Sequence, residues 1–162
     1  VHDASSNMGL SGVLAPDPAD GRLPFYLITT GSFTPAAPRA RGFFKADADP
    51  IPFYLPGEII LIKAEAYARL GTPADLANAI IQINLIRQKT TDPLGVNANL
   101  PAYTGGLTQN DLLLEIYKQR CVELYLTGLK LEDSRRFTRP GPGSGSPERT
   151  RNFYPYPFTE RN

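Results

Sequence analysis

Pro56-Gly57-Glu58-Ile59-Ile60-Leu61-Ile62-Lys63-Ala64-Glu65-Ala66-Tyr67-Ala68-Arg69-Leu70-Gly71, followed at once by Thr72-Pro73-Ala74-Asp75, is the stretch whose reading decides the fold. Pro56 suits the first turn of a helix, where its missing N–H needs no partner, and Glu58 favours the positive helix end. Ile59, Ile62, Ala66 and Leu70 recur at three and four residues, so they are expected to form one apolar stripe. Gly71 tolerates the positive φ of a helix stop. Thr72 then offers a hydroxyl cap and Asp75 a carboxylate three residues on, which starts a second helix.

That second helix carries Leu76, Ile80, Ile83 and Ile86 or Arg87 on one side and runs to about Lys89, before Asp92-Pro93 stops it. Two antiparallel helices with a very short turn result. Residues 55 to 89 make a helix-turn-helix unit of about 34 residues, the length of a tetratricopeptide repeat, with Ala64, Ala66 and Ala68 where close packing needs small side chains.

Downstream, residues 92 to 107 read as a loop, and Thr108-Gln109-Asn110-Asp111 repeats the hydroxyl-to-carboxylate start signal. A third helix is expected to set Leu113, Ile116, Tyr117, Arg120 and Leu124 along one stripe and to end at Gly128. A short fourth helix passes through Leu131, Asp133 and Phe137. A Pro-, Gly- and Ser-rich excursion over 140–147 and an extended tail follow.

Upstream, residues 1–54 carry seven prolines and no sustained period, and read as an irregular arm. Its aromatics, including Phe25, Tyr26, Phe33, Phe43, Phe44, Phe53 and Tyr54, are too many for a disordered linker, so the arm is expected to pack on the helices. Leu23 to Thr29 reads as a short edge strand, its proline near the start. The division is therefore an arm, 1–54, and a helical domain, 55–162. The fold class is all-α, tetratricopeptide-like helical pairs with long irregular loops and little strand.

Composition narrows the function. With 17 Lys+Arg against 16 Asp+Glu there is no excess positive field to hold nucleic acid or an anionic bilayer. No run of apolar residues is long enough to span a membrane. The single cysteine, Cys121, lies among apolar residues and reads as a small buried hydrophobe. The lone histidine, His2, is too near the end of the chain to serve it as a base.

Four stretches, in this order, resemble the C-terminal half of SusD/RagB proteins. Residues 56–71 are similar to the family's E-x-x-L-I-x-A-E-A-x-x-R-L-G helix, and Ile83-Asn84-Leu85-Ile86-Arg87 to the end of its next helix. Leu107-Thr108 through Leu112-Leu113, Ile116, Arg120, Glu123-Leu124, Gly128, Asp133 and Arg136 matches its L-T-x-x-E-L-L block, and the tail from Tyr154 to Asn162 its Y-P-h-P ending. Gln119, Thr127 and Lys130 depart from that pattern at framework positions.

The resemblance implies a glycan-binding component of a cell-surface nutrient uptake system. Such a protein would be held at the outer membrane by a lipid anchor absent from this chain, and would deliver oligosaccharide to a TonB-dependent outer-membrane transporter. It also implies that this chain is a piece of a longer protein or an unusually short relative, the former being favoured.

Glu65, Arg87, Arg120, Glu123, Asp133 and Arg136 sit near apolar stripes, where charges are expected to pair between helices. For catalysis there is no phosphate loop, no metal-ligand spacing and no nucleophile with an available base, so no catalytic residue, metal or cofactor is assigned. Asp47 and Asp49 imitate a carboxylate pair only by their closeness in sequence. What remains is equipment for holding a sugar, flat rings for its C–H faces and amides for its hydroxyls. The candidates are Phe33, Phe43, Phe44, Tyr54, Asn97, Asn99 and Tyr103. The chain has no tryptophan. A generic repeat adaptor that binds a peptide without binding carbohydrate is the alternative.

Overall fold

The computed structural model describes residues 8, 10, 12–28 and 39–155. Among the described residues five α-helices carry the fold: α1 (Arg22–Tyr26), α2 (Pro56–Leu70), α3 (Pro73–Arg87), α4 (Gln109–Glu123) and α5 (Lys130–Arg136). The only strands among the described residues are β1 (Leu27–Ile28) and β2 (Arg39–Ala40), paired antiparallel with Leu27 opposite Ala40. The fold is all-α, a tetratricopeptide-like pair with a third helix laid against it.

The helix boundaries follow the expected local chemistry. Gly71 ends α2 at φ 74°, a conformation that costs a side chain but not glycine. Thr72 caps α3 by accepting from the Asp75 N–H at 3.2 Å. Thr108 and Asp111 form a reciprocal capping box at the start of α4, each side chain accepting from the other's N–H at 3.2 Å.

α2, α3 and α4 meet over Ala64, Ala68, Ala79, Ile83, Leu112 and Ile116, all fully buried. This corrects the expected face of α2. Ile59, Ile62, Ala66 and Leu70 are exposed, and Leu61, Ala64 and Ala68 face inward instead. The helix is apolar on two faces, and its alanines decide between them because they let α3 and α4 approach more closely than isoleucines would.

Two further expectations are revised. Leu23 to Thr29 is not one strand: α1 runs through Pro24, which lies in a first turn where no N–H partner is required, and only Leu27–Ile28 is extended. One turn of helix places Arg22 and Tyr26 on the same buried side. α4 ends at Glu123 rather than Gly128. The Thr127 hydroxyl donates to the Leu124 carbonyl at 2.7 Å, and Leu126 (φ 68°) and Gly128 (φ 86°) turn the chain toward α5.

A buried ionic spine ties the segment before α2 to the helices. Arg22, fully buried, donates to Asp20 Oδ1 (2.9 Å) and Oδ2 (2.6 Å), to Gln119 Oε1 (2.6 Å) and to Glu123 Oε2 (3.1 Å). Burial alone lowers the pKa of this guanidinium, but Asp20 and Glu123 outweigh it and raise it. Glu123 Oε1 accepts from Lys89 Nζ at 2.5 Å, and Tyr26 Oη donates to the Glu123 carbonyl at 2.7 Å.

The spine continues through Gln119 Nε2, which donates to Glu115 Oε1 at 2.8 Å, as does Arg87 Nη1. A second cluster joins Arg120 to Asp133 (2.8 Å) and Arg136 to Asp133 and Glu65 (2.5 Å each). The charges singled out in the sequence therefore pair between helices, as burial demands.

Candidate ligand-binding site

Short of α2 the chain turns twice, and these turns present its aromatics. Asp49 Oδ2 accepts from the N–H groups of Lys45 (2.9 Å) and Ala46 (2.8 Å), which fixes the bend after Phe44 and occupies this carboxylate in a turn. Prolines at 50, 52 and 56 hold the following stretch extended up to the helix start. Phe43, Phe44, Phe53 and Tyr54 thereby come to one depression of about 310 Å³, closed on its other side by Leu126, Thr127 and Leu129.

Within it, Phe44 is 50% exposed, Tyr54 61% and Phe53 wholly exposed, so their ring faces are open to a ligand. Phe43 backs the wall. It is half-buried and meets Phe25 and Tyr26 edge to face, at 5.3 and 5.9 Å between centroids. Glu58, at the start of α2, adds a half-buried carboxylate for which the described residues supply no side-chain partner. Rings for C–H faces beside a carboxylate acceptor for hydroxyls are suited to a sugar.

The structure thus brings three sequence candidates together: Phe43, Phe44 and Tyr54. Phe33 lies outside the described residues. Asn97, Asn99 and Tyr103 sit on the 92–107 loop and none lines the depression. The Asn97 carboxamide oxygen is buried without a donor among the described residues, and Asn99, exposed, adopts φ 50°. Tyr103 is partly buried; its hydroxyl donates to the Gly106 carbonyl (2.9 Å), its N–H to Asn84 Oδ1 (2.7 Å), and burial raises its pKa. Phe53, Ile51, Glu58 and Thr127 were not singled out as candidates. Phe53 had a signal, being next to Tyr54 in a proline-spaced run.

Among the described residues no group of His, Cys, Asp or Glu is placed to hold a metal ion, and no helix is long and apolar enough to cross a membrane. The described residues form a helical scaffold that presents an exposed aromatic concavity. The chain belongs to the SusD family, whose model matches residues 46–160. That span includes Phe53, Tyr54 and Glu58 and begins just after Phe44. In general terms the family implies a glycan-binding component of nutrient uptake, associated with the cell surface, and a binding protein rather than an enzyme. No curated protein and no solved structure matches the chain.

Proposed function

We propose that this chain is part of an outer-membrane receptor that captures an oligosaccharide and passes it to a TonB-dependent transporter, the sugar lying on the aromatic depression. Membership of the SusD family supports the uptake role. The observation that carries the site is the convergence of Phe44, Phe53 and Tyr54, all at least half exposed, around one concavity with the Glu58 carboxylate at its edge. Stacking rings give a sugar affinity, and the carboxylate gives it orientation.

The test is retention on an array of plant, starch and host glycans. Binding to one glycan class is expected, reduced at least tenfold in Phe53→Ala/Tyr54→Ala with unchanged melting temperature, and without cleavage of the glycan. Tyr103→Ala separates a contribution from the 92–107 loop, where Asn97, Asn99 and Tyr103 form the other proposed contact. Loss in Tyr103→Ala but not in the double variant would move the site there.

A second reading, a peptide-binding adaptor, draws on one observation. Ile59, Ile62 and Leu70 on α2, with Ile81 and Leu85 on α3, are exposed apolar residues on the helical pair. It predicts retention of peptides and of no glycan.

A further inference from the structure

Between the end of α4 and the start of α5 the chain encloses a second pocket, of about 410 Å³, within the size range of small-molecule sites. Among the described residues it shares only Leu126 with the lining of the aromatic depression. Leu124, Leu126 and Leu131 make its walls largely apolar, and Tyr154 stands at its edge, with its hydroxyl donated to the Gly128 carbonyl at 2.7 Å.

Two cationic side chains line it, Arg120 and Lys130. Arg120 is 3% exposed and its Nε donates to Asp133 Oδ2 at 2.8 Å, yet its Nη1 is buried with no acceptor among the described residues. A charged donor shut away from water without an acceptor is costly, and natural structures rarely leave one so. The charges around it are unequal as well. Arg69, Arg120 and Arg136 share the two carboxylates of Glu65 and Asp133, and among the described residues Lys130 is held only by a long contact, 3.5 Å, to the Met8 carbonyl.

We propose that this pocket binds a small carboxylate with an apolar body, its oxygens accepting from Arg120 Nη1 and Lys130 Nζ. The apolar body lies among the three leucines beneath Tyr154. An uncharged sugar is a poor occupant, because leucine walls leave its hydroxyls unbonded. The proposal stands apart from the glycan reading and survives its failure.

The test titrates the 162-residue chain with 4-phenylbutyrate and with its primary amide by calorimetry. In parallel it follows alkylation of Cys121, which also lines the pocket. The acid is expected to bind saturably, at least tenfold more tightly than the amide, and to slow the alkylation. Lys130→Met should weaken the acid about tenfold, the loss of one charge-assisted hydrogen bond, and Leu131→Trp should fill the pocket and abolish binding. Both leave the Arg120–Asp133 pair in place, so their folding is checked by an unchanged helical circular dichroism signal. Equal affinity for acid and amide, undiminished binding in the two variants, or no saturation in the millimolar range would each overturn the proposal.

Discussion

Gly57→Ala separates what the helix wants from what the packing allows. Gly57 is the second residue of α2, and by helix propensity alone alanine there is stabilising by about 1 kcal/mol at most. The structure reverses the sign. A Cβ at this position would lie 2.7 Å from both Cγ and Cδ of Glu123 and closer still to Oε1. That carboxylate is fully buried and held between Arg22 and Lys89, so it has no free rotamer to retreat into. Displacing it leaves the buried Arg22 and the half-buried Lys89 short of an acceptor, and breaking a buried pair costs about 3–5 kcal/mol. Set against the propensity gain, a net loss of about 2–4 kcal/mol is expected, a fall in melting temperature of about 4–16 °C for a chain of this size. The assay is reversible urea and thermal denaturation of four proteins: wild type, Gly57→Ala, Glu123→Ala and the double variant. In the Glu123→Ala background the clash is gone, so adding Gly57→Ala should recover the propensity gain of up to about 1 kcal/mol, and the cycle should show a coupling larger than the single effect by that amount. A single variant as stable as wild type, or a coupling near zero, refutes the reasoning.

Thr108→Ala removes the hydroxyl half of the α4 capping box and should lower stability by about 1 kcal/mol, read as a shift in urea midpoint; Thr108→Ser should keep most of it. Gln119→Glu deletes the donor to Glu115 and sets a second acid beside it, so it should destabilise by about 1–3 kcal/mol despite the nearby Arg22, and Glu115→Gln should relieve part of the loss. Stability should fall as pH rises from about 9 to about 11: burial pushes the Cys121 thiol up to about 11 in the folded chain from its ordinary 9.0, so above pH 9 the unfolded chain holds fewer protons. Tyr26 and Tyr117, both raised by burial from 10.0, extend the fall to higher pH, and a urea midpoint flat across the window contradicts the shifts.

The helical pair was legible because its punctuation is local. Gly71, Thr72, Asp75, Thr108 and Asp111 act on backbone groups within four residues, so their effect needs no knowledge of the rest of the chain. The face of α2 was not legible, because Ile59, Ile62 and Leu70 compete with Leu61, Ala64 and Ala68, and a periodicity count favours the larger side chains. Packing favours the smaller ones, which let three helices meet over Ala64, Ala68 and Ala79. α1 escaped detection because five residues containing a proline carry too little periodicity. Its helix is secured by Arg22 and Tyr26 reaching Glu123, about a hundred residues away in sequence, a partnership that local reading cannot see.

The same separation explains the site. Residue type told that Phe44 and Tyr54 belonged among candidate rings, but the depression exists because residues 43–55 face the turn at 126–129, and that meeting depends on the spine. Arg22 and Tyr26 in α1 hold Glu123 at the end of α4, while Phe43 packs on Phe25 and Tyr26. α1 and the end of α4 are thus fixed to each other through buried charge. Gln119, a departure from the family pattern, accepts from Arg22 and donates to Glu115 at once, which a glutamate in its place does only by acquiring a proton. A change in the buried spine should therefore loosen the aromatic wall without touching any ring. Weaker glycan retention in Gln119→Glu than in Thr108→Ala, compared at equal stability, would trace the site's geometry to that spine.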